Sequence, residues 1–199
     1  ANVEVGTVET YYAVVGDGTR RLSKMVAGSG STVLGPGGNG WRLPKDAMRA
    51  LVVAGGIGIT PVIAAAGMFQ DAGVAHDAVV GTLTAVRLCG TDALSERGCG
   101  EVRVTTDDGT AGTRGFVTAE VEPMLATGAY DLVLTCGPQP MMRSVARLAE
   151  QAGVACQVSV ERMMTCGFGA CNTCNVETTS GMMGACTAGP VFDSRRLVW

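Results

Sequence analysis

Residues 52–62 read VVAGGIGITPV, an apolar run that stops at paired glycines and resumes as a different kind of segment. With the preceding residues, ALVVA at 50–54 is a short buried strand. TPVIAAAGMFQDAG (60–73) is a helix, with Thr60 as its N-cap, Pro61 at its first position and Gly73 as its stop. Between the two, Gly56 and Gly58 let a pyrophosphate approach the backbone, and the amides at a helix N-terminus favour its charge. Pro61 stands where G-x-G-x-x-G would place its third glycine, so the turn departs from the dinucleotide fingerprint. A tight strand–helix turn without a ligand is the competing reading.

Working outward, the same grammar repeats. AVVGT (78–82), EVRVT (101–105), DLVLT (131–135) and CQVSV (156–160) are further strand candidates. QPMMRSVARLAEQAG (139–153) is a helix that Pro140 opens and Gly153 ends, with Met141, Val145, Leu148, Ala149 and Ala152 on one face. TCGPQPM (135–141) is a second turn at a strand end. Such alternation predicts an α/β fold, a mostly parallel sheet with helices on both faces. Ligands of that fold bind at the carboxyl ends of the strands.

Composition narrows the function classes. The chain has 199 residues, 47% hydrophobic and 17% charged, with a net charge of −3 and no Lys/Arg block. That argues for a packed core and against a phosphate-backbone partner, so no nucleic acid is expected. No run approaches the ~18 apolar residues of a membrane span. Glycine is abundant at 29 residues, which suggests tight turns and close approaches of backbone to ligand. Four of the eight cysteines crowd into the last 34 residues rather than stapling the chain evenly, so a reducing cytoplasm and a metal centre fit better than disulfides.

The densest group is CGFGACNTC (166–174). Cys166, Cys171 and Cys174 form C-x4-C-x2-C, and Cys186 lies further on, the plant-type [2Fe–2S] spacing. Gly167 and Gly169 allow the loop to wrap, and residues 166–176 carry no charge to compete with backbone amides for the sulfurs. Zinc, a redox C-x-x-C or unrelated thiols are the alternatives; structural zinc usually takes two separated pairs. Cys89, Cys99 and Cys156 lack partners at ligand spacing and read as ordinary thiols. His76 in AGVAHDA reads as a solvated loop residue, and Asp107 and Asp108 as a turn with Asx capping. Residues 1–40 read as β-rich and turn-rich, the last strands of a small barrel.

In order along the chain, VVAGGIGITPV, VTTDDGTAGTRG, TCGPQPMM, VSVERMMTCGFGACNTC and CTAGPVF closely resemble the electron-transfer subunits of two-subunit, NAD-dependent dihydroorotate dehydrogenases. These belong to the ferredoxin–NAD(P) reductase superfamily, and GDGTRRLSKMVAGSGSTVLGPGGNGW resembles the end of its FAD-binding barrel. The resemblance implies three regions: the C-terminal part of the FAD barrel (1–45), an NAD-binding α/β domain (46–160) and a [2Fe–2S] segment (161–199). It implies Cys166, Cys171, Cys174 and Cys186 as cluster ligands. Tyr11, Tyr12, Ala13, Gly18 and Thr19 would contact FAD. Gly56, Gly58, Thr60, Cys136, Gly137 and Pro138 would form the pyridine-nucleotide turns. Family members usually carry Arg at the position of Ala13, and the Arg-Pro-x-Ser-type flavin strand has no counterpart, so the chain reads as N-terminally truncated and expected to release FAD.

The activity so implied is electron transfer in pyrimidine biosynthesis. A catalytic, FMN-containing partner subunit oxidises dihydroorotate, and electrons pass through [2Fe–2S] and FAD to NAD⁺. Arg87 alone in GTLTAVRLCG offers little grip on a 2′-phosphate, favouring NAD. The alternatives are a reductase subunit of a hydrogenase, sulfite reductase or bifurcating enzyme, or a [2Fe–2S] carrier that no longer uses a nucleotide.

Overall fold

In a computed structural model, which describes residues 6–199, the chain divides into two units, Ala1–Leu34 and Gly35–Trp199. Among its described residues the first contains one short helix, α1 (Asp17–Leu22), with Asp17 in its first turn and Arg20 and Arg21 in its last, each sign suited to its end of the helix dipole. The strand expected through Tyr11, Tyr12 and Ala13 does not form: residues 8–15 have no ladder partner among the described residues. A strand needs a neighbour to satisfy its backbone groups, and the pattern of residues 6–34 supplies none. None of residues 6–34 is buried. The part of the β-rich expectation that falls on residues 1–5 lies outside the described residues.

The second unit is built on a seven-stranded sheet. Its strands are β1 (Arg49–Gly55), β2 (Ala75–Thr82), β3 (Val102–Thr106), β4 (Thr113–Arg114), β5 (Leu132–Cys136) and β6 (Ala155–Ser159), then β7 (Asn175–Thr178) and β8 (Gly181–Gly184) as a separate hairpin, and β9 (Val191–Asp193). The sheet order is β4-β3-β2-β1-β5-β6-β9, all parallel except β9, which runs antiparallel to β6. Val52 pairs with Ala78 on one side and Leu134 on the other. Connections run outward in opposite directions from β1 and β5, so the topological switch point, where open α/β sheets bind ligands, falls between them.

β1 shows why the strands read as continuous apolar runs. Ala50, Val52 and Ala54 enter one core with Val62, Ala66 and Phe69 of α2 (Ile59–Ala72) and Leu94 of α3 (Thr91–Glu96). Leu51 and Val53 enter the other with Val121 of α4 (Thr118–Ala126) and Val145 and Ala149 of α5 (Gln139–Gln151). A strand covered on both faces has no solvated side for polar residues. The second core continues into the cysteine segment, through Cys174, Val176, Ala185, Cys186 and Phe192.

Some local expectations shift. Thr60 is not the N-cap of α2: a 3-10 turn (Gly56–Gly58) leads directly into the helix, and the Thr60 hydroxyl donates back to the Ile57 carbonyl at 3.1 Å. Gly73 does end α2, at φ +69°. In α5 the buried face is Met142, Val145, Ala146 and Ala149, one position round from the expected stripe at its start. His76 is not solvated. It is the second residue of β2, 3% exposed, packed on the Phe69 ring at 5.4 Å, with Nδ1 3.1 Å from the Val74 carbonyl oxygen. A central strand flanked by β1 and β3 buries whatever it carries.

At the amino ends of the strands, Asp77 is 2% exposed. It accepts from the Arg49 guanidinium (2.7 and 3.0 Å), the Tyr130 hydroxyl (2.8 Å) and the Glu101 amide (2.8 Å). Burial alone would push this carboxyl up. Arg49, Tyr130 and the Glu101 amide together hold it below its ordinary value.

Candidate functional site

The cysteine loop is shaped by backbone that turns left-handed three times in six residues, at Gly167 (φ +76°), Gly169 (φ +90°) and Asn172 (φ +59°). Glycine adopts that region freely and Asn tolerates it best among the rest. In the wrapped loop Cys171 is felt by Cys166 and Cys174 by Cys186, and Cys166 also acts on Cys186. Cys171 is near Cys166: its thiol is drawn down to about 6, first by the Thr173 hydroxyl at 3.2 Å, then by the amides of Thr173 and Cys166 and the Cys166 thiol. Cys174 is near Cys186, whose amide donates to its Sγ at 3.5 Å and lowers its pKa, while the Cys174 thiol and burial raise that of Cys186. Cys174 and Cys186 are buried in the shared core, Cys171 is exposed and Cys166 intermediate.

Among the described residues, no three or more His, Cys, Asp or Glu side chains gather as the ligand set of a metal ion. Two pairs of thiols suit a centre with two irons, each taking two protein sulfurs, and the amides aimed at those sulfurs suit its negative charge. The donor set therefore fits a [2Fe–2S] group. Around the loop, Asn39 anchors the chain: its amide group donates to the carbonyls of Thr187 (3.1 Å) and Ala188 (3.2 Å), and a Cβ on Gly37 would lie 3.5 Å from the Cys186 carbonyl oxygen. Neither residue carries a sequence signal that points to the cysteines.

The second arrangement is a cavity of about 640 Å³ at the carboxyl ends of β1, β2, β3 and β5. Gly56 and Pro138, from the two glycine turns, line it. Gly58, Cys136 and Gly137 are absent from the lining because they form the contact beneath it. A Cβ on Gly58 would meet the Cys136 carbonyl and, at 2.7 Å, the Gly137 amide, and one on Gly137 would lie 2.9 Å from the Gly55 backbone. The turns thus touch backbone to backbone. Cys136 is buried, and burial pushes its thiol up to about 12, so it packs and does not ionise. Thr60 stays half-buried on α2 with its hydroxyl bonded within the turn.

The strand-end rule could have found the walls that the motifs missed. Thr82 and Leu83 end β2, Thr105 and Asp107 end β3, and Phe116 and Met141 close the sides. Thr105 lines the cavity, and its hydroxyl is fully buried with no hydrogen-bond partner among the described residues. An apolar cleft beside two helix-initiating turns fits a nucleotide. Asp108 behaves as expected of an Asx turn, accepting from the Thr110 amide (3.0 Å) and hydroxyl (2.6 Å).

In the first unit, Gly18 and Thr19 lie in α1. Thr19 Oγ1 accepts from the amides of Val15 (3.0 Å) and Gly16 (3.2 Å), and Tyr11 donates to Glu9 at 2.8 Å. Tyr12 is half-buried and Ala13 exposed. Among the described residues, nothing from elsewhere in the chain lies within 4 Å of where a Gly18 Cβ would be. Open space there suits the close approach of a ligand such as FAD.

Residues 161–198 match the family model of the iron-sulfur cluster binding domain of dihydroorotate dehydrogenase B. A dihydroorotate dehydrogenase B (NAD(+)) electron transfer subunit from Clostridium acetobutylicum is 36% identical over 187 residues, covering 94% of this chain and 72% of the relative. The chain belongs to this family of electron transfer subunits. A probable family member from Methanocaldococcus jannaschii is 34% identical, over 90% of this chain and 68% of its own. Among solved structures, one described as an NADH-dependent reduced ferredoxin-NADP oxidoreductase, reported for flavin-based electron bifurcation, superposes with a TM-score of 0.84 at 31% identity. It is matched over 94% of this chain and 67% of that one. The cytochrome b5 reductase domain of Ulva prolifera nitrate reductase, at 19% identity and a TM-score of 0.55, shares the fold. The family model thus falls on the segment whose thiols are paired, and the full-length relatives extend the match over the strand-end cavity.

Proposed function

We propose that this chain is the electron-transfer subunit of a cytoplasmic dihydroorotate dehydrogenase of pyrimidine biosynthesis, linking a catalytic FMN-containing subunit to NAD⁺. Its FAD and [2Fe–2S] cluster would together convert between single electrons and the hydride of a nicotinamide. The observation that carries the reading is that the cysteine loop and the parallel sheet share one apolar core, from Leu51 and Val145 to Cys174 and Cys186. A loop packed that way belongs to the same working unit as the nucleotide cavity.

In this reading Cys166, Cys171, Cys174 and Cys186 hold the cluster, the buried pair inward and exposed Cys171 outward. The loop's amides and the Thr173 hydroxyl stabilise negative charge on the sulfurs. Met163, Met164 and Phe168, exposed beside the cysteines with no charged residue between 163 and 176, present an apolar face suited to the catalytic subunit. Gly56, Gly58 and Thr60 shape the α2 turn, and Cys136, Gly137 and Pro138 the α5 turn, whose amides bind a pyrophosphate. Phe116 and Met141 exclude water from the cavity. Tyr11, Tyr12, Ala13, Gly18 and Thr19 contact FAD, with residues 1–45 as the end of the flavin domain, 46–160 as the nucleotide domain and 161–199 as the cluster segment. No described helix is long and apolar enough to cross a membrane.

The test is reconstitution. Mixed with a dihydroorotate-oxidising subunit, and supplied with FAD, the chain should confer dihydroorotate-dependent NAD⁺ reduction. A catalytic subunit that reduces NAD⁺ equally well without it would contradict the proposal. The similarity to an electron-bifurcating reductase favours one second reading, service to a different partner oxidoreductase. It predicts NADH-dependent reduction of the cluster with no coupling to dihydroorotate.

A further inference from the structure

The four cysteines sit on two stretches of chain, and a third stretch touches both. Residues 37–42 form a strap ahead of β1. A Cβ on Gly37 would lie 3.5 Å from the Cys186 carbonyl oxygen and 3.7 Å from that of Gly167, so the strap backbone lies against each cysteine-bearing stretch. Two residues on, Asn39 makes four hydrogen bonds to the later one. Its backbone amide donates to the Gly189 carbonyl, and its own carbonyl accepts from the Val191 amide at 3.3 Å. Its side-chain amide donates to the carbonyls of Thr187 (3.1 Å) and Ala188 (3.2 Å). A carboxamide has two N–H donors, and two consecutive carbonyls just after Cys186 take them. The turn so clamped is tied at its other end as well. The Thr187 and Ala188 amides donate to the Gly184 carbonyl at 3.2 and 2.8 Å, and the Ala185 amide to the Cys174 carbonyl at 3.0 Å. Cys186 stands between these ties, with its amide aimed at Cys174 Sγ.

Holding the strap in place does not account for the Asn39 side chain. The strap is fastened separately at Trp41, whose indole donates to the Pro61 carbonyl at 2.7 Å, and at Arg42, whose backbone exchanges two hydrogen bonds with the Gln157 side chain. Nor does satisfying the Thr187 carbonyl, because Thr187 is exposed and water reaches it. What the side chain does add is a fixed direction for the chain leaving Cys186. We infer that Asn39 is a positioning residue of the metal centre: by clamping the turn it keeps the Cys186 amide on the Cys174 sulfur, and so raises the reduction potential of the centre. An added electron puts more negative charge on the sulfurs, and an N–H dipole aimed at one of them stabilises the reduced form more than the oxidised form. This rests on the reading of Cys166, Cys171, Cys174 and Cys186 as the ligands of a [2Fe–2S] group.

A mediated redox titration of the full chain, loaded with iron and sulfide and followed by electron paramagnetic resonance, tests it. Asn39→Ala should lower the midpoint potential. Hydrogen bonds to charged groups are commonly worth a tenfold change in an equilibrium or more. At a fixed applied potential the reduced-to-oxidised ratio should therefore fall about tenfold, which is about 59 mV for a one-electron couple. Asn39→Ser keeps a single donor and should shift the potential less, in the same direction. Gln157→Ala loosens the strap at Arg42 without touching the turn, and should leave the potential unmoved. Circular dichroism, and the affinity for 5′-AMP as half of a dinucleotide, should not differ among the four proteins. Where Asn39→Ala does not fold, Asn39→Ser decides by the same measure. An Asn39 variant with native circular dichroism that no longer takes up the centre also supports the inference, because only the clamped turn has changed. A potential in Asn39→Ala equal to the native one, or a shift as large in Gln157→Ala, overturns the inference and leaves the ligand reading intact. A native chain that takes up no iron and sulfide overturns both.

Discussion

The Cys186 amide donates to the Sγ of Cys174 across twelve residues of chain, at 3.5 Å. The same core that covers β1 buries both residues. Two thiols held together inside apolar surroundings, with amides aimed at one of them, are an arrangement for anionic sulfur bound to metal. Cys174→Ser should abolish the visible absorption of the iron-loaded protein or shift it strongly. Cys99→Ser should leave the spectrum unchanged, because burial pushes the Cys99 thiol up to about 12 and no other cysteine accompanies it. Absorption spectra of the two variants decide the matter.

The crossing of the two turns makes a second expectation. Gly58→Ala drives a methyl group into the Cys136–Gly137 backbone, which cannot move as a flexible side chain would. Overpacking of this kind costs roughly 1–3 kcal/mol. Denaturant unfolding should show that loss, and 5′-AMP should bind more weakly because the turns have separated.

Gly18→Ala separates ligand contact from packing. With nothing within 4 Å and a helical setting, the methyl group should leave thermal unfolding unchanged or slightly raise its midpoint. FAD affinity in an equilibrium titration should fall, because the space belongs to the ligand.

Asp77 contributes to the acid sensitivity of the α/β unit. Its folded pKa lies below its ordinary value, so its network contributes stability above the unfolded pKa of about 3.9, and that contribution is lost as pH falls through the folded value. Unfolding free energy should therefore decline below about pH 4. Asp77→Ala strands the Tyr130 hydroxyl and the Glu101 amide and should cost about 3 kcal/mol at neutral pH. The variant's stability should fall less steeply over the acid range than the native chain's, the remaining slope coming from carboxylates such as Glu120 and Asp193 that are also held low. 5′-AMP binding should persist in folded Asp77→Ala, since the network lies at the opposite ends of the strands from the cavity.

Much of this architecture was legible in sequence. The strands at 50–54 and 131–135, the stops at Gly73 and Gly153, and the parallel α/β order all follow from apolar runs and glycine chemistry that act locally. The unread parts depend on distant neighbours. His76 looked solvated because its flanking residues are polar or small, but burial was decided by β1, β3 and Phe69. The residues around Tyr11 and Tyr12 have strand composition, and composition cannot supply a pairing partner. Thr60 had the chemistry of a cap, yet the glycine turn extended the helix past it. At the cysteine loop the spacing showed which residues belong together. Pairing of Cys166 with Cys171, and of Cys174 with Cys186, emerged only once the backbone turned left-handed at Gly167, Gly169 and Asn172.

That pairing carries the central claim, that this chain holds a two-iron centre and works as an electron carrier. The most direct measurement is iron, acid-labile sulfide and zinc per chain in protein purified without oxygen. The account predicts about two irons and two sulfides per chain, with zinc absent and a red-brown colour that dithionite bleaches. One zinc per chain, no sulfide and no visible absorption would contradict it.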